Sequence, residues 1–594
     1  MIMRLGKRKG FTLVEIMVSV ALFLIIGIGV WQGYSYVSDL VRVTRIKTTA
    51  IALANEQLEI VRNLPYSDVG TVGGIPAGKL PPTQQITRGG VTFTVDFSVK
   101  NIDDPFDGNF PNDTAPADYK LVEVIISCPS YRNFSSLKIT TTAAPKNLEI
   151  SSNNGALFIR VLNANGQPVP QANVHIVNNQ VSPPINMTET TDNNGWLELV
   201  DVPPSVESYQ ITVSKDGYSE EKTYPPGAPN NPNPVKPHAT VVAGQITQIT
   251  FVIDKVSTLN VYSMNQYCSP VGNIDFHLQG AKLIGTNPDV YKYSQDHATN
   301  ANGQKIISNL EWDNYSLTLT DTQYALAGSI PIIPFNLNPN TTLDFFLIVR
   351  QVAPKAILVK VKDASTQLPL SGATVRIQKP GWDLSLLTGR GYLRQTDWSG
   401  GSGQVNFIDE TKYWSQDGNI NDDNGEIKLV KIGNNYRPSG WLISSTFDTG
   451  AASNFYNIIW QPSDQPPQTE VKFQIATSSV NPPESWDFKG PDGTPNTYYT
   501  LSDTNIYSGH NGDRYLRYKV FLSTQNQSVT PNVAEIAITF SSSCIPSGQA
   551  FFYNLPTANI WTLTVSKAGY QTYTEENIDI NQDWQEREIS LNPE

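Results

Sequence analysis

Between Phe11 and Trp31 the chain reads FTLVEIMVSVALFLIIGIGVW, with Glu15 the single ionisable side chain among twenty-one residues. As a helix this segment covers roughly 30 Å, the thickness of a bilayer's hydrocarbon core. Helically spaced apolar positions continue through Tyr36, Val37, Leu40, Val41, Ile51, Leu53, Leu58 and Val61 until Pro65, which cannot continue a helix. The pattern predicts one helix over 11–64, longer than a membrane needs, so its outer half requires a protein surface against its apolar stripe. Beyond it the period drops from 3.6 to 2. TFTVDFSV (92–99) and YKLVEVIIS (119–127) alternate as half-buried strands, and SLKITTTAA (136–144) completes a sheet against the helix, so that 65–148 reads as a small head.

After residue 148 the alternating segments recur in a fixed layout. Three openings align: ALFIRVLNANGQPVPQANVHIV (156–177), STLNVYSMNQYCSPVGNIDFHL (257–278) and ILVKVKDASTQLPLSGATVRIQ (357–378). Three later strands align as well: YQITVSKDGYSEEK (209–222), YSLTLTDTQYALAG (315–328) and WTLTVSKAGYQTYT (561–574), preceded by turns at Gly195, Gly303 and Gly548. The spacing from opening to later strand is 53, 58 and then 204 residues, so roughly 150 residues are inserted in the third copy at a loop that tolerates it. The final fifty residues are then expected to return to 355–380. The insert carries SGWLISSTFDTG (439–450), YNIIWQ (456–461), TEVKFQIATS (469–478) and DRYLRYKVFLST (513–524). Its strands and its Trp441, Trp460 and Trp486 loosely resemble a jelly-roll or discoidin-like sandwich, whose aromatics form either core or a platform for glycans.

KRKG followed by FTLVE (7–15) resembles the type IV prepilin signal. In that family a membrane peptidase cuts after the glycine and N-methylates the new terminus. The resemblance makes Gly10 the last leader residue, Phe11 the mature N-terminus, and Glu15 the carboxylate that pairs with a neighbouring subunit's terminal amine, each charge being costly if left alone in an apolar bundle. The partners it implies are prepilin peptidase, other pilin subunits through helix 11–64, and the membrane. A secretory signal peptide fits less well, because no Ala-x-Ala-like site follows Trp31. The repeat, with Gly166-Gln-Pro-Val-Pro-Gln-Ala172-Asn-Val174, Leu555-Pro556, and Gly217-Tyr218 or Gly569-Tyr570, resembles the carboxypeptidase regulatory-like, prealbumin-like sandwich; the second copy has Thr322-Gln-Tyr324 in place of Gly-Tyr. Some related surface modules carry a Lys–Asn isopeptide bond. With Ser214, Thr320 and Ser566 at the late-strand position, none is expected here.

The expected fold class is mainly β: a leader (1–10), a transmembrane and filament helix (11–64), an α/β pilin-type head (65–148), sandwiches at 149–255 and 256–352, a third split between 353–380 and 544–594, and a jelly-roll-like insert (381–543). Composition agrees, with 41 Gly, 41 Pro, 10% aromatic and only 16% charged residues. The net charge of −12 becomes −16 once Arg4, Lys7, Arg8 and Lys9 are set aside. Those four keep the N-terminus cytoplasmic, giving a single-pass protein of the cytoplasmic membrane with its ectodomain outside or in a surface filament. An acidic ectodomain makes nucleic acid a poor partner.

Cys128, Cys268 and Cys544 form no CxxC or Cys/His cluster and are expected as three thiols, one bridge being the alternative in an oxidising compartment. No P-loop, HExxH, GxSxG or GxGxxG stands in a credible context, and the five histidines have no ligand-like spacing, so neither enzyme chemistry nor a cofactor is expected. Calcium is the one ion the residues admit: Asp417, Asn419, Asn421 and Asp423 gather hard oxygens, without the glycine and terminal glutamate of an EF-hand, and a solvated turn is the favoured reading. Together these features describe a minor pilin-like subunit or adhesin whose β-domain stalk meets glycans or cell surfaces. A pseudopilin of a type II secretion-like or competence system and a pilin-tethered carbohydrate-active enzyme are the alternatives.

Overall fold

The computed structural model describes residues 13–594 apart from 107, 109, 114, 132–133 and 146–151. Gly10 and Phe11 lie outside the described residues, as does the side chain of Glu15. The chain forms two compact units: one runs to Lys255 and takes in Leu283–Val290, the other comprises Val256–Lys282 and Tyr291–Glu594.

The first unit begins with helix α1 (Leu13–Asn63). Its apolar side chains from Leu13 to Val41 are exposed, whereas Ile46, Ala50, Leu53, Ala54, Leu58 and Val61 are buried, a single stripe at helical spacing. That stripe packs on an antiparallel sheet of four strands in chain order, β1 (Thr83–Arg88), β2 (Val91–Ile102), β3 (Tyr119–Ser127) and β4 (Leu137–Ala143). Phe93, Val95, Phe97 and Val99 of β2 and Val122, Val124 and Ile126 of β3 face the helix, as strict alternation requires. Removing one such side chain, Leu53 for instance, costs about 2–5 kcal/mol. Buried Lys120 ties the chain after the helix to the sheet, donating from Nζ to the carbonyls of Tyr66 (2.9 Å) and Val69 (2.7 Å).

Three sandwiches share one plan. In each, the opening strand pairs antiparallel with one neighbour and parallel with the module's last strand: Gly155–Leu162 lies between Trp196–Val202 and Ile246–Val252, Ser257–Met264 between Gln304–Leu310 and Thr342–Gln351, and Ala356–Asp363 between Gln549–Phe552 and Trp584–Leu591. The facing sheet centres on Asn173–Asn178, Asp275–Gly280 or Thr374–Lys379. The turn joining the layers repeats atom for atom in its key contacts. Thr191, Thr299 and Thr388 accept at Oγ1 from the amides of Ala172, Ile274 and Ala373. Gly195, Gly303 and Gly548, all at positive φ, accept from the amides of Val161, Ser263 and Val361. A Cβ at these glycines would lie 2.5, 2.4 and 2.7 Å from its nearest atom, so only glycine fits.

The third module is interrupted. Trp382–Leu387 still pairs with Thr374–Lys379, and the insert's own sheets begin at Gly391. They are two antiparallel layers: Gly391–Gln395, Glu535–Ser541 and Asn454–Gln461 in one, and Ser439–Ile443, Tyr515–Thr524 and Thr469–Ser478 in the other. Trp398, Trp460, Phe473 and Tyr518 fill the space between them.

Within this second unit the modules are bound together. Gln549 clasps Ser329 through both its amide oxygen (3.0 Å) and nitrogen (2.8 Å), and Trp584 Nε1 donates to the carbonyl of Leu326 (2.8 Å). Cys268 and Cys544 form a disulfide, with Cα atoms 5.5 Å apart, while Cys128 is a buried thiol. This corrects the expectation of three thiols. Cys268 stands in the tight turn after the second module's opening strand and Cys544 just after the insert's last strand, a proximity hidden by a separation of 276 residues.

Candidate functional site

Two regions present chemistry outward. The first is α1, the one helix among the described residues long and apolar enough to cross a membrane. Its covered half starts at Ile46, so the exposed half projects beyond its own head.

The second is the outer face of the insert's sheet. In Tyr515–Thr524, alternation sends Leu516, Tyr518, Val520 and Leu522 into the core and leaves Arg517, Lys519 and Phe521 on the opposite side. Trp441 and Lys472 stand directly across from Phe521 on the neighbouring strands, and Gln474 across from Lys519. Lys519 Nζ rests 4.3 Å from the Trp441 ring centre and 4.9 Å from that of Phe521. Arg517 lies between Trp414 (5.0 Å) and Trp486 (4.8 Å), and Tyr498 meets Phe521 edge-on at 5.2 Å. The floor is therefore a file of cations and one phenyl ring. Trp414 and Trp441 flank it on the side of Ser439–Ile443; Trp486 and Tyr498 flank it beside Thr469–Ser478, where Lys489 and Tyr499 pair with Ile475 and Phe473.

Arg517 is only 5% exposed. It donates from Nε to Thr446 Oγ1 (2.8 Å) and from Nη2 to the Val405 carbonyl (3.2 Å). Neither it nor Lys519 forms an ion pair among the described residues, and burial lowers both pKa values, that of Arg517 to about 10. Desolvating a cation without an opposite charge has this effect.

The tryptophans expected as either core or platform divide: Trp460 is core, while Trp441 and Trp486 stand half-buried on the cationic face. Arg517, Lys519, Phe521 and Trp414 were not singled out from the sequence. The signal was present in DRYLRYKVFLST, where basic and aromatic residues occupy the solvent-side positions. His175 bonds Asn186 (2.9 Å), and His277 bonds Asp296 and Ser294. At the acidic loop Asp417 accepts from the Asn419 amide (3.0 Å) and Asp423 from the Asn421 side chain (2.8 Å). No cluster of three or more His, Cys, Asp or Glu able to hold a metal occurs among the described residues.

The prokaryotic N-terminal methylation motif matches residues 5–31, and the carboxypeptidase regulatory-like domain matches 156–254. No curated protein sequence matches the chain. Among solved structures, the Bacillus anthracis TIE protein is 13% identical, with 52% of this chain and 67% of that one covered and a TM-score of 0.15. A streptococcal ancillary pilin is 14% identical (40% and 84% covered, TM-score 0.14), and GBS52, the minor pilin of Streptococcus agalactiae, 13% (33% and 96%, TM-score 0.18). Scores this low carry no argument about fold or role, and the family matches stand without them. The chain thus carries a type IV prepilin signal at its N-terminus and, behind the head built on that helix, a carboxypeptidase regulatory-like β-sandwich.

Proposed function

We propose that this protein is a minor type IV pilin-like subunit that displays an adhesive β-domain array outside the cell. Prepilin peptidase would cut after Gly10 and Phe11 would be N-methylated, leaving Glu15 as the acid that sets register beside sister helices. The observation that carries this reading is the division of α1. Its first half is apolar and bare, while its second half is covered by the four-stranded head, as a subunit needs if it waits in a membrane and then packs into a bundle. The Cys268–Cys544 bridge supports an oxidising location for the ectodomain. An ectodomain of this size would crowd a filament made solely of it, which supports an occasional or terminal position. The insert, with its cation–aromatic face, is the contact-making part.

Mass spectrometry of the protein from envelope or filament fractions should find N-methyl-Phe11 at the terminus. Retention of residues 1–10, or processing beyond Trp31, would sink the filament reading. Glu15→Ala should reduce incorporation into filaments by about tenfold or more, as expected for leaving a terminal amine unpaired in an apolar bundle.

A further inference from the structure

We propose that the outer face of the insert binds an acidic glycan, one in which carboxylated sugars are interspersed with neutral ones. Sugar rings stack on the flanking tryptophans, and their carboxylates meet Lys519 and Arg517. This rests on the adhesive reading above and names its ligand class.

Charge is the first argument. Several buried or half-buried cations in this protein have acids: Lys362 pairs with Glu588 (2.7 Å), Lys360 with Glu586 (3.2 Å) and Lys282 with Glu311 (2.7 Å), whereas buried Lys120 is held by two carbonyls. Arg514, on the turn leading into the same strand as Arg517, holds Asp448 through both Nε (2.7 Å) and Nη2 (2.9 Å). Arg517 is about as buried as Lys360, yet its two donated bonds go to the uncharged oxygens of Thr446 and Val405 and it forms no ion pair among the described residues. A desolvated guanidinium in this state favours an anion brought from outside. Two residues along, Lys519 repeats the pattern, with Asp417 in its neighbourhood but not in contact.

The aromatic flanks are the second argument. Trp414 is 38% exposed, and Trp441, Trp486, Tyr498 and Phe521 are half-buried, so amphipathic rings flank the file of cations, with Lys472 beside it already paired with Glu470 (2.7 Å). Lys519 Nζ lies on the Trp441 ring. A carboxylate that draws the ammonium toward itself exchanges a cation–π contact for a charge-assisted one and frees the indole face for a sugar ring. A ligand that is anionic at intervals and apolar on its ring faces uses both features.

The same combination of rings and cations is what single-stranded nucleic acids use. The whole insert argues against that ligand: residues 381–543 hold eleven basic and seventeen acidic side chains, so its long-range field repels a phosphate on every unit. A sparser anion is compatible with two local cations in an acidic module.

The test applies the full chain in detergent to an array of uronate- and sialate-bearing oligosaccharides printed beside their carboxyl-reduced forms, with oligothymidylate as a further probe. Binding to carboxylated members, about tenfold or more weaker after carboxyl reduction, is expected. Lys519→Met should lose a similar factor and Lys519→Arg should retain binding, both with unchanged thermal unfolding because the side chain lies on the solvent side of the sheet. Equal binding of reduced glycans, preference for oligothymidylate, or no binding to any array member would overturn the proposal. An adhesion assay separates its failure from that of its parent. Cells lacking the chain that adhere normally would sink the adhesive reading itself, whereas cells that need the chain but tolerate Lys519→Met would sink only the glycan assignment.

Discussion

At the scale of single residues, the insert stores a pH dependence at His510. Its side chain is buried, and Thr477 Oγ1 donates to Asp513 Oδ2 (2.7 Å), so the 2.8 Å contact between Thr477 and His510 Nδ1 is donated by the imidazole. Nε2 is then a buried nitrogen with no partner among the described residues. Burial first, and Lys489 second, pull its pKa from 6.5 down to about 4, against the opposing pull of Asp513 and Asp487. Between those values the unfolded chain is protonated and the folded one is not, so stability is full above the unfolded pKa and falls as pH drops toward 4. The loss amounts to about 3 kcal/mol. Calorimetry of the insert's transition should show its midpoint falling between pH 7 and pH 4.5, and His510→Gln should flatten that slope; an unchanged slope would remove the assignment. Nothing in the sequence marked His510, because its environment is made by Thr477 and Asp513, more than thirty residues away in one case. Trp460 and Trp441 likewise could not be told apart by residue type. Only their phase along their own strands puts one in the core and the other outside.

At the scale of elements, legibility was greater because periodicity is a local property. The change from a 3.6 to a 2.0 repeat after Pro65 marks the end of α1 and the start of strands, and the mainly β class with one long helix follows from it. What periodicity does not carry is which strands pair: the parallel union of each opening strand with its module's last strand bridges 84 residues or more in every copy. The inter-layer turn gives a sharp test of why its glycine recurs. Gly195 has φ +76 and would place a Cβ 2.5 Å from the Val161 carbonyl, while Gly217, also at φ +76, opens onto free space. Gly195→Ala should destabilise the first module by about 3 kcal/mol or more, combining left-handed strain with a backbone clash, against about 1–2 kcal/mol for Gly217→Ala. Chemical denaturation of the two variants measures the difference, and equal losses would show that the clash relaxes at no cost.

At the scale of the whole molecule, contacts that join distant parts of the sequence decide the behaviour, and these are the least readable from it. The bridge from Cys268 to Cys544 joins the second sandwich to the exit of the insert, and no spacing rule links two cysteines so far apart. If an ectodomain is anchored at one end and gripped at the insert, tension follows the shortest covalent route. That route enters through Ser257–Met264, crosses the sulfurs and reaches Glu535–Ser541 directly. The longer arm, from Cys268 through the second and third sandwiches to the insert, carries none of it while the bridge is closed. Stretching single molecules by their ends should therefore release about 900–1000 Å more chain when the bridge is reduced than when it is intact. An equal contour length in both states would show that the bridge does not shield this loop. A closed bridge thus holds the arm between the second sandwich and the insert at fixed length, so a load applied at the insert leaves that arm folded.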